Sequence, residues 1–404
     1  MSSESDDRRP SWLDEIPARL AALDAAHLTR RRRAVRPAEG ASMWVDGRRM
    51  LAFCSNDYLG LSQHEALRAA AIEGAQRYGV GSGASPMVSG HSEANAALER
   101  ELADFVGLER ALYFYAGYAT NASIVPALVG AGDALFSDAL NHACLIDGAR
   151  LSKAQIHRFE HADLAQLDAL LQASPARRKL VISDAVFSMD GDVADIPALI
   201  ALCERHDALL LLDDAHGFGV CGPQGRGSLA AVARTGAQAS RRVLYMATLG
   251  KAAGVSGAFV AGPADLVEWL LQKTRSYTFA TAAPALLAQS VRAALRVIQD
   301  EPARLERLHR NIAHFRAGLP AAIAGAGWTL LPSPTAVQAL VIGSNDDALR
   351  AMGALADAGL WVPAIRPPTV PEGTARLRIA LSAAHEPEDI TTLLRALGDA
   401  ARRR

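Results

Sequence analysis

From about residue 108 onward, short apolar runs alternate with stretches of helical periodicity. The runs are Ala111 to Phe114, Ala134 to Phe136, Ile156 to Phe159, Leu180 to Ile182, Leu209 to Leu212 and Val243 to Met246. Continuous apolar runs such as Leu209-Leu210-Leu211-Leu212 suit strands buried on both faces. Strands of that kind separated by helices predict an α/β fold around a large, mostly parallel sheet. Upstream, Glu65 to Tyr78 reads as helix. So does Glu93 to Phe105, with Ala94, Ala97, Leu98, Leu102 and Phe105 on one face. A first helix is expected from about Trp12 to Arg33, carrying Ile16, Leu20, Leu23 and Leu28 and ending in the arginines Arg30 to Arg33. Pro284 is expected to open a long helix to about Ile298. Beyond it the chain becomes helix-rich, with short strands near Gln338 to Ile342 and Arg376 to Ala380. The expected organisation has three parts: a tail and helical arm over 1–50, a large α/β domain over 51–290, and a smaller α+β domain over 291–404.

Composition narrows the function classes. A net charge of −1 over 404 residues argues against a polyanion-binding surface, so no nucleic-acid partner is expected. No stretch of about 18 apolar residues occurs, which argues against a membrane span. The polar start, Met1 to Ser11, lacks the apolar core of a secretory signal. Cys54, Cys144, Cys203 and Cys221 are scattered without a C-x-x-C pair. Neither a disulfide framework nor a metal site is expected, and a reducing cytoplasm is the natural compartment.

Ligands of α/β sheets bind at the carboxyl ends of the strands, where polar residues here follow the apolar runs. Asp213 follows Leu209 to Leu212; such an acid is often only a helix cap. Lys251 ends Ala247-Thr248-Leu249-Gly250-Lys251 and is followed by Ala252, Ala253 and Gly254. A lone lysine is usually a solvated charge, but small apolar neighbours suit an amine held in a desolvated pocket. Pyridoxal phosphate (PLP) chemistry needs a lysine to form an imine, an acid for the pyridine nitrogen and donors for the phosphate. Lys251 and Asp213 meet the first two needs. For the third, Tyr115-Ala116-Gly117-Tyr118-Ala119-Thr120-Asn121 follows a strand and opens a helix, whose free N–H groups suit a dianion. Thr248 adds a hydroxyl. His142 has a plain structural reading and a functional one, stacked on a pyridine ring. Ser188, in Val186 to Asp192, is placed to bond a phenolic oxygen. An arginine on the strand Arg376 to Ala380 suits a bidentate grip on a carboxylate, or is merely a surface charge. The run Arg30 to Arg33 is a solvated helix face, a nucleic-acid patch or a contact for an anionic acyl carrier. Gly79-Val80-Gly81-Ser82-Gly83-Ala84 fits a loose dinucleotide pattern, but a helix rather than a strand precedes it, so the dehydrogenase reading is rejected.

Taken together, Ser55-Asn56-Asp57-Tyr58-Leu59-Gly60-Leu61, Val186 to Asp192, Asp213-Asp214-Ala215-His216-Gly217 and Thr248-Leu249-Gly250-Lys251 resemble the α-oxoamine synthases. The resemblance spans roughly residues 20 to 400. It implies a fold-type-I PLP enzyme that condenses an amino acid with an acyl-CoA and loses CO₂. Lys251 would hold the cofactor as an imine, Asp213 would hold the pyridine nitrogen, and His142 would stack on the ring. Gly117, Tyr118, Ser188, His216 and Thr248 would contact the cofactor. Arg30, His142 and Thr369 would contact substrate, and Arg378 would hold the amino-acid carboxylate. The family also implies a homodimer, with Thr281 reaching the neighbouring subunit's phosphate. Within the family, Ile365-Arg366-Pro367-Pro368-Thr369-Val370-Pro371 and Gly373 to Arg378 point to L-alanine and a pimeloyl thioester, on CoA or a carrier protein. Siblings using glycine or serine, an ordinary aminotransferase, or a non-catalytic PLP-binding protein are the alternatives. Phe218 and Tyr118 depart from the commonest family residues without touching a chemical role.

Overall fold

The computed structural model describes residues 11–26, 28–233 and 240–403. Seven strands form the central sheet: β1 (Arg110–Phe114), β2 (Ala134–Asp138), β3 (Gln155–Phe159), β4 (Lys179–Asp184), β5 (Ala208–Asp213), β6 (Val243–Thr248) and β7 (Ala258–Gly262). Their order is β1-β7-β6-β5-β4-β2-β3. The five strands from β6 to β3 pair in parallel. The apolar runs mark six of the seven strands; β7, short and glycine-bounded, was not anticipated. It runs antiparallel to both β6 and β1. Only residues 249–257 link it to β6, too few for the crossover that a parallel neighbour requires.

Alternate residues of the strands enter different cores, as a pleat demands. Leu180, Ile182 and Leu211 pack with Ile124, Val125 and Leu145 on one face. Val181, Leu210 and Leu212 pack with Leu167, Leu171, Leu199 and Leu202 on the other. Helices therefore cover both faces, and every strand end opens into the layer between them. The helices Glu65–Tyr78 and Glu93–Val106 lie where periodicity placed them, and Ala285–Asp300 packs against both. The residues before Gly79 are thus helical, and the glycine-rich segment 79–84 has no strand ahead of it.

The first helix runs only from Trp12 to Ala25 and buries none of its residues. Arg30 to Arg33 lie beyond it in irregular chain, not at its end as expected. Leu20 and Leu23 stay exposed, so no apolar contact holds a further turn against four adjacent like charges. A hairpin of Ser42–Val45 and Arg48–Ala52 follows, with Val35–Pro37 on its outer edge. Its inner edge pairs in parallel with Leu360–Trp361, joining the chain's two ends. Toward the C-terminus, Val337–Gly343 and Ala375–Ala380 form an antiparallel pair, flanked by Thr329–Leu330 and Ala364–Ile365.

Candidate active site

Two carboxylates end adjacent strands, Asp184 on β4 and Asp213 on β5, in direct register. Asp213 is buried; its Oδ2 accepts from Asn121 Nδ2 at 2.5 Å and its Oδ1 from the Ala215 N–H at 2.9 Å. Asp184 Oδ2 accepts from the His142 N–H at 2.6 Å. Burial, reinforced by the Asp213 charge, pushes the Asp184 carboxyl well above the usual carboxylate range. Asp184 thus stays neutral, leaving Asp213 as the charge of the pair.

His142 caps the helix Ala143–Ser152, its Nδ1 accepting from the Cys144 N–H at 3.2 Å. Burial lowers its pKa, Asp213 opposes that, and Lys251 adds to it. Lys251 sits in the turn after β6, with Nζ 2.8 Å from His216 Nε2. Burial drives the Lys251 ammonium down to about 8, against the pull of Asp213 and Asp184. The turn needs Gly254, whose φ is +69° and whose Cβ would stand 2.6 Å from the Ser62 nitrogen.

Gly117 opens the helix Gly117–Leu128, whose N-cap, Ala116, offers no side-chain acceptor. A Cβ at Gly117 would meet Thr248 Oγ1 at 3.4 Å, so the bare helix end and the hydroxyl face each other. Tyr118 is half-exposed and donates to Asp147. Across the cluster, Arg378 is buried on the strand Ala375–Ala380. Its Nε donates to the Ser188 carbonyl at 2.6 Å, and its terminal nitrogens donate to Asn56 Oδ1 at 3.3 and 3.2 Å. Arg376 points to the same side of the strand, but Asp190 and Thr374 already engage it.

Lys251, His216, Asp213 and His142 thus converge at the strand ends, Thr248 meets Gly117, and Arg378 meets Ser188. Arg30 and Thr369 lie exposed, and among the described residues no hydrogen bond ties either to this cluster; the Thr369 N–H donates to the Arg366 carbonyl at 3.1 Å. Thr281 is also exposed. Four residues given no role in the sequence reading belong to the site: Asn121, Asp184, Asn56 and Tyr58. Asp184 directly follows a run already read as a strand. Asn56 and Tyr58 stand in the Ser55 to Leu61 segment.

PLP fits this donor set. Lys251 titrates close to neutrality, a buried acid stands by, and a helix N-terminus is left uncapped beside a hydroxyl. Asn121 Oδ1 is buried and unpartnered on the same side as Asp213.

Residues 48–397 match the family described as aminotransferase class I and II. An 8-amino-7-oxononanoate synthase of Paracidovorax citrulli is 72% identical over 392 residues, covering 97% of this chain and 95% of that one. Its counterpart from Delftia acidovorans is 72% identical over 396 residues, covering 97% and 98%. A solved structure of SPT with a PLP internal aldimine superposes with a TM-score of 0.89 at 28% identity, covering 98% and 99% of the two chains. The structure of 8-amino-7-oxononanoate synthase from Francisella tularensis gives a TM-score of 0.74 at 26% identity, covering 88% and 98%. The chain belongs to the class I and II aminotransferase family, within the group of the 8-amino-7-oxononanoate synthases.

Proposed function

We propose that this chain condenses L-alanine with a pimeloyl thioester, releasing the thiol and CO₂ to give 8-amino-7-oxononanoate for biotin synthesis. The observation that carries the reading is the meeting of Lys251, Asp213 and Arg378 around one strand-end cluster, an amine, an acid and a carboxylate clamp. When bound, PLP supplies an electron sink for the charge left at the amino acid's Cα.

The protein's own groups do the rest. Asp213 holds a proton at the pyridine nitrogen. Lys251, with a pKa brought down to about 8 by burial, takes and returns the Cα proton near neutral pH. Arg378 binds the alanine carboxylate, and His142 covers the ring. Gly117, Tyr118 and Thr248 hold the phosphate, while Ser188 and His216 face the phenolic oxygen. Arg30 and Thr369 receive the acyl donor, which implies that their exposed segments close over it. We further propose a cytoplasmic homodimer with Thr281 contributed across the interface, and the three-part division at 50/51 and 290/291. The relatives of 72% identity support the alanine and pimeloyl choice.

Thiol release, measured over a panel of amino acids and acyl thioesters, tests the reading. Alanine with pimeloyl-CoA should be the preferred pair. A clear preference for glycine with acetyl- or succinyl-CoA, or transamination without thiol release, would overturn it.

A further inference from the structure

Behind Lys251 runs an unbroken line of polar side chains that ends on Arg378. Lys251 Nζ stands 2.8 Å from His216 Nε2, and Nδ1 of the same ring stands 2.6 Å from the Tyr58 hydroxyl. That hydroxyl lies 3.1 Å from Asn56 Oδ1, the oxygen on which both terminal nitrogens of Arg378 rest. Tyr58 and His216 are both buried.

Only one arrangement of protons satisfies this line. A guanidinium can only donate, so Asn56 must present its carbonyl oxygen to Arg378. Two oxygens 3.1 Å apart then need a proton between them, and only the Tyr58 hydroxyl has one. The guanidinium also bears on the Tyr58 oxygen, which fits a hydroxyl whose proton points to Asn56. Tyr58 must therefore accept from Nδ1–H of His216. Burial keeps that ring neutral, so it carries one proton and leaves Nε2 as a bare acceptor toward Lys251. While Arg378 rests on Asn56, the line favours a protonated Lys251.

A substrate carboxylate competes for the same two guanidinium nitrogens. Their bonds to one shared neutral oxygen are long, at 3.2 and 3.3 Å. Charge-assisted bonds are about twice as strong as neutral ones, so the carboxylate wins. Asn56 is then free to turn its amide and donate Nδ2–H to Tyr58. We propose that Asn56 and Tyr58 are positioning residues that report the filling of the Arg378 clamp to Lys251 by reversing the hydrogen bonds through His216. In the reversed state Tyr58 donates to Nδ1 and the ring carries its single proton on Nε2. Lys251 now faces a donor, presents its lone pair and releases one proton to solvent. The amine is thereby made basic and free only once an amino acid is in place. This inference rests on the carboxylate role proposed for Arg378.

The test is histidine ¹⁵N NMR of the full-length holoenzyme, with and without propionate, a carboxylate that lacks the amine needed to displace Lys251. The His216 signals are assigned by their loss in His216→Asn. In the wild type they should change from Nδ1-protonated to Nε2-protonated as propionate saturates. Tyr58→Phe should still bind propionate, measured by competition with alanine, yet show no change of tautomer. An unchanged tautomer in propionate-saturated wild type overturns the inference while leaving the clamp reading intact. So does a change retained in Tyr58→Phe. Should Tyr58→Phe fail to fold, the wild-type spectra decide alone. Propionate that does not compete with alanine overturns the clamp reading itself, and this inference with it.

Discussion

His161 is held between two carboxylates, with Nδ1 3.0 Å from Asp138 Oδ1 and Nε2 2.9 Å from Asp192 Oδ2. Its ring meets Phe187 edge-on with centroids 4.4 Å apart, so it bolts the segment bearing Ser188 and Asp190 to the end of β2. Hydrogen bonds to Asp138 and Asp192 raise its pKa from 6.5 to about 10, against burial. At about 1.36 kcal/mol per unit, the charged form is worth up to roughly 5 kcal/mol below pH 6 and roughly 4 at pH 7. The side chain is 27% exposed, so solvent screening reduces the expected value to about 2–3 kcal/mol. The sign follows from a folded pKa above the unfolded one. The contribution is fully present below the unfolded value near 6.5 and is lost as pH rises through 10. His161→Gln keeps the polar reach without the charge. Urea unfolding of both proteins from pH 6 to 10.5 should give a stability difference that is largest at the acid end and shrinks toward zero near pH 10. A difference that stays constant across that range would refute the charge argument and leave only packing.

In the cofactor-free chain, modification of Lys251 by an amine-directed reagent should rise with a midpoint near pH 8, read by peptide mass spectrometry; a midpoint at the ordinary lysine value would refute the desolvated pocket. Arg378→Ala should raise KM for alanine far more than for the thioester. Arg376→Ala removes one partner of the buried pair with Asp190 and should instead cost about 3–5 kcal/mol of stability, seen as a lower melting temperature. Gly148→Ala puts a Cβ 2.6 Å from the Asn121 carbonyl oxygen, where the helices Ala143–Ser152 and Gly117–Leu128 touch. It should cost about 1–3 kcal/mol and weaken PLP binding by displacing Asn121 from Asp213, measured by melting and by cofactor titration.

The central sheet was legible because its strands are buried on both faces and leave uninterrupted apolar runs. The N-terminal hairpin was not, since Val35 to Ala52 mixes arginine, proline and polar residues along edge strands with exposed positions. Helical spacing in the first helix was real as far as Leu23, but spacing alone does not say whether anything covers the face. In the site, Lys251, Asp213 and His142 could be read because each follows a strand. Asp184 follows one too, yet its pairing with Asp213 exists only once β4 and β5 lie side by side. Asn56 draws its role from Arg378, 322 positions away, a distance no local pattern spans.

The seam between the chain's two ends has a consequence for biosynthesis. The Leu51 N–H donates to the Gly359 carbonyl, and the Phe53 N–H to the Trp361 carbonyl, each at 2.9 Å. Ala380 and Ala383 return bonds of 2.8 Å to the carbonyls of Phe53 and Tyr58. Residues 51–58 leave the ribosome early, but these partners emerge some 300 positions later. At about 5–20 residues per second, that is a wait of roughly 15–60 s. The strands that carry Asp213 and Lys251 are all translated within that interval and can pair before it ends. The nascent protein therefore builds its cofactor cradle first, and Asn56 and Tyr58 reach their final places only when the last stretch of chain arrives.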